Sequence, residues 1–171
     1  MSGQISTRIL SVLVDNSAGV LARISGLFSR RGYNIASLAV GETADPSVSR
    51  MTIIASCDER ALDQIVQQLR KQVCVRMVEV LDESIAMSRE LVLVKVSTSA
   101  ENRTQVIEIA NIFRARVIDV SQGSMILEMT GETEKTAAML ELMDEFGVLE
   151  VARTGKIALE RGSSTIYNRE A

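Results

Sequence analysis

Histidine and tryptophan are absent from the 171 residues, proline occurs once, cysteine twice, and aromatic residues make up only 3%. Without His there is no Ser-His or Cys-His nucleophilic pair, no imidazole acid or base, and no His-ligated zinc. The two thiols, Cys57 and Cys74, are separated by sixteen intervening residues and form no CxxC. That excludes a thiol-exchange or metal-carrier motif, and they read as buried reduced thiols of a cytoplasmic protein. No apolar stretch approaches the ~20 residues of a membrane span. The opening SGQISTR lacks the apolar core of a secretory signal and the Arg/Ser-rich amphipathic pattern of a transit peptide. There is no basic run either: 19 Lys and Arg face 22 Asp and Glu, and the net charge is −3. Residues 1–82 carry 9 positive and 8 negative groups and residues 83–171 carry 10 and 14, so nucleic-acid binding loses its electrostatic support. GxGxxG, GxxxxGK[ST] and GxSxG are all missing. The chain reads as a binding protein, with no catalytic residues and no metal of its own.

What is present is an aliphatic protein, 46% apolar, with eight Met. Arg8 to Val14 (RILSVLV) has the Ile, Leu and Val of a buried strand. After the loop DNSAG, the apolar residues Val20, Leu21, Ile24, Leu27 and Phe28 share one helical face, and Arg30, Arg31 and Gly32 give the expected C-terminal signals. A helix over 19–31 is expected. Asn34 to Gly41 and Val48 to Ser56 read as strands around the turn ETADPS. Asp58 caps a helix with Leu62, Ile65, Val66 and Leu69 on one side, and Val75 to Leu81 is a further strand. The order βαββαβ in about 75 residues is the ferredoxin-like arrangement of two helices over a four-stranded antiparallel sheet.

A similar pattern recurs about 82 residues on, with little residue identity. Strands at 91–96, 116–120, 124–129 and 149–153 alternate with a helix near 101–114 and one capped near Thr133 and closed by Gly147. The fold class is therefore α+β, with two ferredoxin-like βαββαβ domains, each with helices on one face of an antiparallel sheet. Their expected limits are 1–81 and 90–159, with a linker at 82–89 and a mobile tail at 160–171, which lacks periodicity.

The informative stretch is Asp15 to Asn34. A loop ending in Gly19 at a helix start exposes backbone N–H groups at the positive end of the macrodipole, which suits a carboxylate or phosphate. Asn16 and Asn34 offer side-chain hydrogen bonds. The same residues also suit plainer roles: Asn16 as a helix cap, Gly19 and Asn34 as turn residues. Gly32 to Gly41 holds no charged residue, although βαββαβ topology puts this strand at a sheet edge. An edge strand with neither Lys nor Pro is a template for another chain. Pairing through Ile35, Ser37, Leu38 and Val40 in a homodimer would bring Asn34 of one subunit to the Gly19 loop of the other.

RILSVLVDNSAGVLARISGLFSRRGYNIASLAVG followed by DPSVSRMTI closely resembles the small regulatory subunit of acetolactate synthase (acetohydroxyacid synthase), a family with an N-terminal ACT domain. Weaker similarity continues through 89–96, 113–121 and 150–155. Ala18 departs from it, standing where a Pro often precedes the Gly. The resemblance implies an N-terminal ACT domain and an ACT-like C-terminal one. It also implies a large catalytic partner that uses thiamine diphosphate, Mg²⁺ and FAD, which this chain activates and makes subject to feedback inhibition by valine in branched-chain amino-acid biosynthesis. Asn16, Gly19 and Asn34 match the family's valine-contacting positions, with Val20 and Leu21 in the same segment. A free-standing amino-acid sensor of transcription would need a DNA-reading helix or basic face, and a small enzyme would need convergent carboxylates. The sequence offers neither.

Overall fold

The computed structural model describes residues 5–168. It divides into two units, one built from the chain up to Ser88 and from Lys156 onward, the other from Arg89–Gly155.

In the first unit β1 (Ser6–Asp15), α1 (Val20–Arg30), β2 (Ile35–Glu42), β3 (Val48–Cys57), α2 (Glu59–Arg70) and β4 (Val75–Leu81) follow in order. The sheet order is β2-β3-β1-β4, antiparallel throughout. Leu10, Val12 and Val14 of β1 meet Val20, Ile24, Leu27 and Phe28 of α1 and Leu62, Ile65 and Leu69 of α2 in one core. Asp58 caps α2 by accepting the Ala61 N–H at 2.8 Å. The Tyr33 hydroxyl donates to Gln64 at 2.9 Å and ties the end of α1 to α2. Cys57 and Cys74 are free and buried in this core, and burial pushes the Cys57 thiol up, away from reactive thiolate.

The opposite face of this sheet is also covered. Ile9, Ile54 and Leu81 pack with Ala158, and Leu13 and Val48 pack with Ile166. The covering segment includes a short strand, β9 (Ile157–Glu160). Burial on both faces explains why β1 reads as an apolar run interrupted only by Ser11, itself buried, instead of alternating.

In the second unit β5 (Ala86–Ser97), α3 (Arg103–Phe113), β6 (Arg116–Val120), β7 (Ser124–Gly131), α4 (Thr133–Asp144) and β8 (Val148–Arg153) repeat the topology as β6-β7-β5-β8. Its core joins Val94, Val96, Met125, Leu127 and Met129 to Val106, Ala110, Met139 and Met143. Glu90, buried, accepts a hydrogen bond from the Thr136 hydroxyl.

The expected domain limits need correction. The 82–89 linker is a turn held by Asp82, whose carbonyl accepts the Ile85 and Ala86 N–H groups, and β5 begins at Ala86. Residues 156–159 belong to the first unit, not the second. The expected mobile tail also fails over 160–168: Arg161 donates its N–H to Ile85 at 3.1 Å, and Ile166 is 7% exposed. Residues 169–171 lie outside the described residues. An irregular strap covering a face needs only a few inward side chains, so it leaves no period to read. Ile166→Ala should lower the stability of the first unit by about 2–4 kcal/mol in denaturant unfolding. A mobile tail would give no change.

Candidate functional site

Gly19 is the N-cap residue of α1, with φ 85°, a left-handed conformation that glycine adopts without penalty. No side chain caps this helix and no acidic residue stands in its first turn. The first N–H groups of a helix have no intrahelical acceptor. Val20 N–H reaches back to Ser17 at 3.4 Å, which leaves those of Leu21 and Ala22 for water or a ligand. Ser17, Ala18 and Gly19 are exposed, and a methyl group at Gly19 would meet nothing within 4 Å.

Asn16 does not cap the helix. Its side-chain amide donates to Glu42 Oε1 and to the Pro46 carbonyl, both at 2.9 Å, and its backbone N–H donates to Ser47 at 2.8 Å. Both partners of the amide are pure acceptors, so its NH₂ faces them and Oδ1 faces outward. The loop before α1 is thereby locked to the end of β2 and to the β2–β3 turn. Arg76 strengthens the lock from β4 by pairing with Asp15 at 2.7 Å. The Asp45 carboxyl lies below its ordinary range because the Ser47 N–H and hydroxyl hydrogen-bond to it, with Arg76 nearby. Glu42 and the 43–47 turn carry no periodic signal, and sequence reading missed their part in holding Asn16.

Of the other expected site residues, Val20 faces the core and offers the loop only its backbone. Leu21 is 48% exposed and Val40 is 47% exposed, so apolar surface borders the loop on α1 and on β2. Asn34 is exposed just before β2, beyond the C-terminal end of α1. Eleven helical residues span roughly 16 Å, so within one chain Asn34 cannot join Asn16 and Gly19.

Strand β2 is the edge of its sheet, bonded to β3 on one side only. Ile35 and Leu38 pack on the helical core, while the Ser37 hydroxyl accepts the Lys156 N–H at 3.0 Å from the other face. The corresponding edge of the second unit, β6, carries Arg116, paired with Glu128, and Asp119. Charges on an edge discourage pairing with another chain, and β2 has none from Ile35 to Gly41. Among the described residues no three of His, Cys, Asp and Glu gather as a metal site, and no helix is long and apolar enough to cross a membrane.

Comparisons with known proteins bear on both units. Residues 10–76 match a family model described as an AHAS small subunit-like ACT domain, and residues 89–162 one described as the small subunit of acetolactate synthase. A probable acetolactate synthase small subunit from Methanothermobacter thermautotrophicus is 47% identical over 161 residues, covering 94% of this chain and 96% of that protein. The acetolactate synthase small subunit of Mycolicibacterium smegmatis is 47% identical over 162 residues, with 95% of each chain covered. Among solved structures, that of the acetolactate synthase small subunit from Thermotoga maritima superposes with a TM-score of 0.88 at 36% identity, covering 94% of this chain and 100% of that one.

Proposed function

The chain belongs to the acetolactate synthase small-subunit family, and from that premise we propose that it activates a large catalytic subunit and makes it sensitive to valine. In this reading the large subunit, with thiamine diphosphate, Mg²⁺ and FAD, condenses the 2-keto acids, and this chain contributes no reacting group. Two copies pair antiparallel along β2, and valine sits at each end of the paired strands.

The observation that carries the reading is the bond from Asn16 to Glu42, which fixes the Gly19 loop at the C-terminal end of β2. Antiparallel pairing of two such strands lays the start of one against the end of the other. The partner's Asn34 would then stand beside Asn16 and Gly19, supplying the polar side chain that one chain alone cannot bring there. The N–H groups of Leu21 and Ala22 would take the valine carboxylate. Asn16 Oδ1 and the Glu42 carboxylate face the ammonium, and Leu21 with Val40 gives the isopropyl group apolar surface. Valine can inhibit only by binding one state of the complex better than another, and a coupling of about 1–3 kcal/mol gives a roughly 5- to 150-fold effect.

Calorimetry with valine, leucine and isoleucine tests the site, and activity of the reconstituted holoenzyme tests the coupling. The expected result is saturable valine binding, weaker heats for the two longer side chains, and inhibition over the same valine range. No heat and no thermal shift with any of the three would reduce the role to activation.

A further inference from the structure

The helical layer of the first unit has a sign of charge that the fold does not require. Between Asp15 and Glu42 the chain contains no acidic residue and three arginines, Arg23, Arg30 and Arg31, all exposed on α1 or at its C-terminal cap. On α2 and at its cap, Arg60, Arg70 and Lys71 are likewise exposed. The acidic residues of this layer are Asp58, which caps α2, Glu59, already paired with Arg8 at 2.7 Å, and Asp63, three against six cations. Among the described residues none of the six cations forms an ion pair.

Helix electrostatics explain part of the pattern. Arg30, Arg31, Arg70 and Lys71 stand at helix C-termini, where the macrodipole favours cations. Arg23 and Arg60 stand in first turns, where the same field disfavours them. The second unit shows that the topology imposes no such sign: α3 and α4 hold Arg103 and Lys135 against Glu108, Glu134, Glu141 and Asp144. A cationic layer on a chain of net charge −3 thus gains nothing for folding from Arg23 and Arg60. Within the first unit, residues 156–168 cover the other face of the sheet and the proposed dimer uses β2, so neither occupies the helical layer, whose six cationic side chains are exposed.

We propose that the α1–α2 layer is the docking surface for the large subunit and that it meets an acidic protein surface there. The inference rests on the regulatory-subunit reading above. A polynucleotide is the less fitting anion, because the aromatic side chains of this layer are Phe28, which is buried, and Tyr33, which is half-buried and held by Gln64, and the chain as a whole is acidic.

The test is the full chain with the purified large subunit, comparing wild type, the double variant Arg23→Glu with Arg60→Glu, and a Lys135→Glu control on α4. The double variant places acids where the macrodipole favours them, so its melting temperature should equal or exceed that of the wild type. Its association with the large subunit should weaken by at least about tenfold, and wild-type affinity should fall as salt rises from about 50 to 300 mM. Lys135→Glu should bind like the wild type. If the wild type binds the large subunit and the folded double variant binds equally well, the docking surface is wrong and the regulatory reading stands. If the wild type does not bind the large subunit at any salt concentration, the regulatory reading itself is overturned. Binding of duplex or single-stranded nucleic acid that the double variant loses would overturn the acidic-protein assignment.

Discussion

Gly19→Asp should abolish valine inhibition of the reconstituted holoenzyme, weakening valine binding by at least about 100-fold while activation of the large subunit survives. The reasoning starts from the backbone. Gly19 has φ 85°, and a side chain there costs roughly 1–2 kcal/mol, too little to unfold the unit. The space around it is open, so the new carboxylate meets no steric barrier. It would lie over the Leu21 and Ala22 N–H groups, occupy the anion site and repel the carboxylate of valine. Gly19→Asn separates charge from strain, since it carries the same backbone cost and nearly the same volume with no charge. A valine response measurable in the Asn variant and absent in the Asp variant assigns the loss to the carboxylate. A Gly19→Asp holoenzyme with wild-type valine sensitivity would remove the loop from the site.

Much of this arrangement was legible because its causes are local. Arg30 and Gly32 end α1 where the chain predicts, and Asp58 caps α2 through the N–H three residues on. The run of uncharged residues marks β2 as an edge open to pairing. What escaped depends on contacts far along the chain. Ile166 is one apolar residue in a polar stretch, and its partners Leu13 and Val48 are more than a hundred residues away. Asn16 suits a cap by type and position, yet it bonds to Glu42 and Pro46. That choice turns on the shape of the β2–β3 turn, which no spacing rule encodes. Val20 shows the limit in the other direction: helical periodicity places it in the core, while the family resemblance assigns its segment to the ligand. Both hold if the contribution of that segment is made by the backbone.

Val40→Lys should break the proposed β2–β2 dimer, leaving a monomer at micromolar concentration, and remove valine binding with it. Val40 is 47% exposed, so the folded monomer loses little and its stability should stay within about 0.5 kcal/mol of the wild type. In a two-fold pairing of β2 with itself, each new ammonium must be desolvated against the partner strand, and both copies carry it. This is the device by which natural edge strands avoid association. Sedimentation should show the dimer dissociation constant raised by at least about 100-fold, the effect of roughly 2.7 kcal/mol. The valine result then discriminates between a shared and a private site. Asn16 and the Leu21 and Ala22 N–H groups are intact in the variant monomer, whereas the partner's Asn34 and the apolar surface of Val40 have gone, so the dependence of valine binding on protein concentration, and not its loss alone, reports a shared site. A shared site therefore predicts that valine binding returns as protein concentration is raised and dimers reform, and that valine itself promotes dimerisation by mass action. A monomeric Val40→Lys chain that binds valine with wild-type affinity would place the whole site within one subunit.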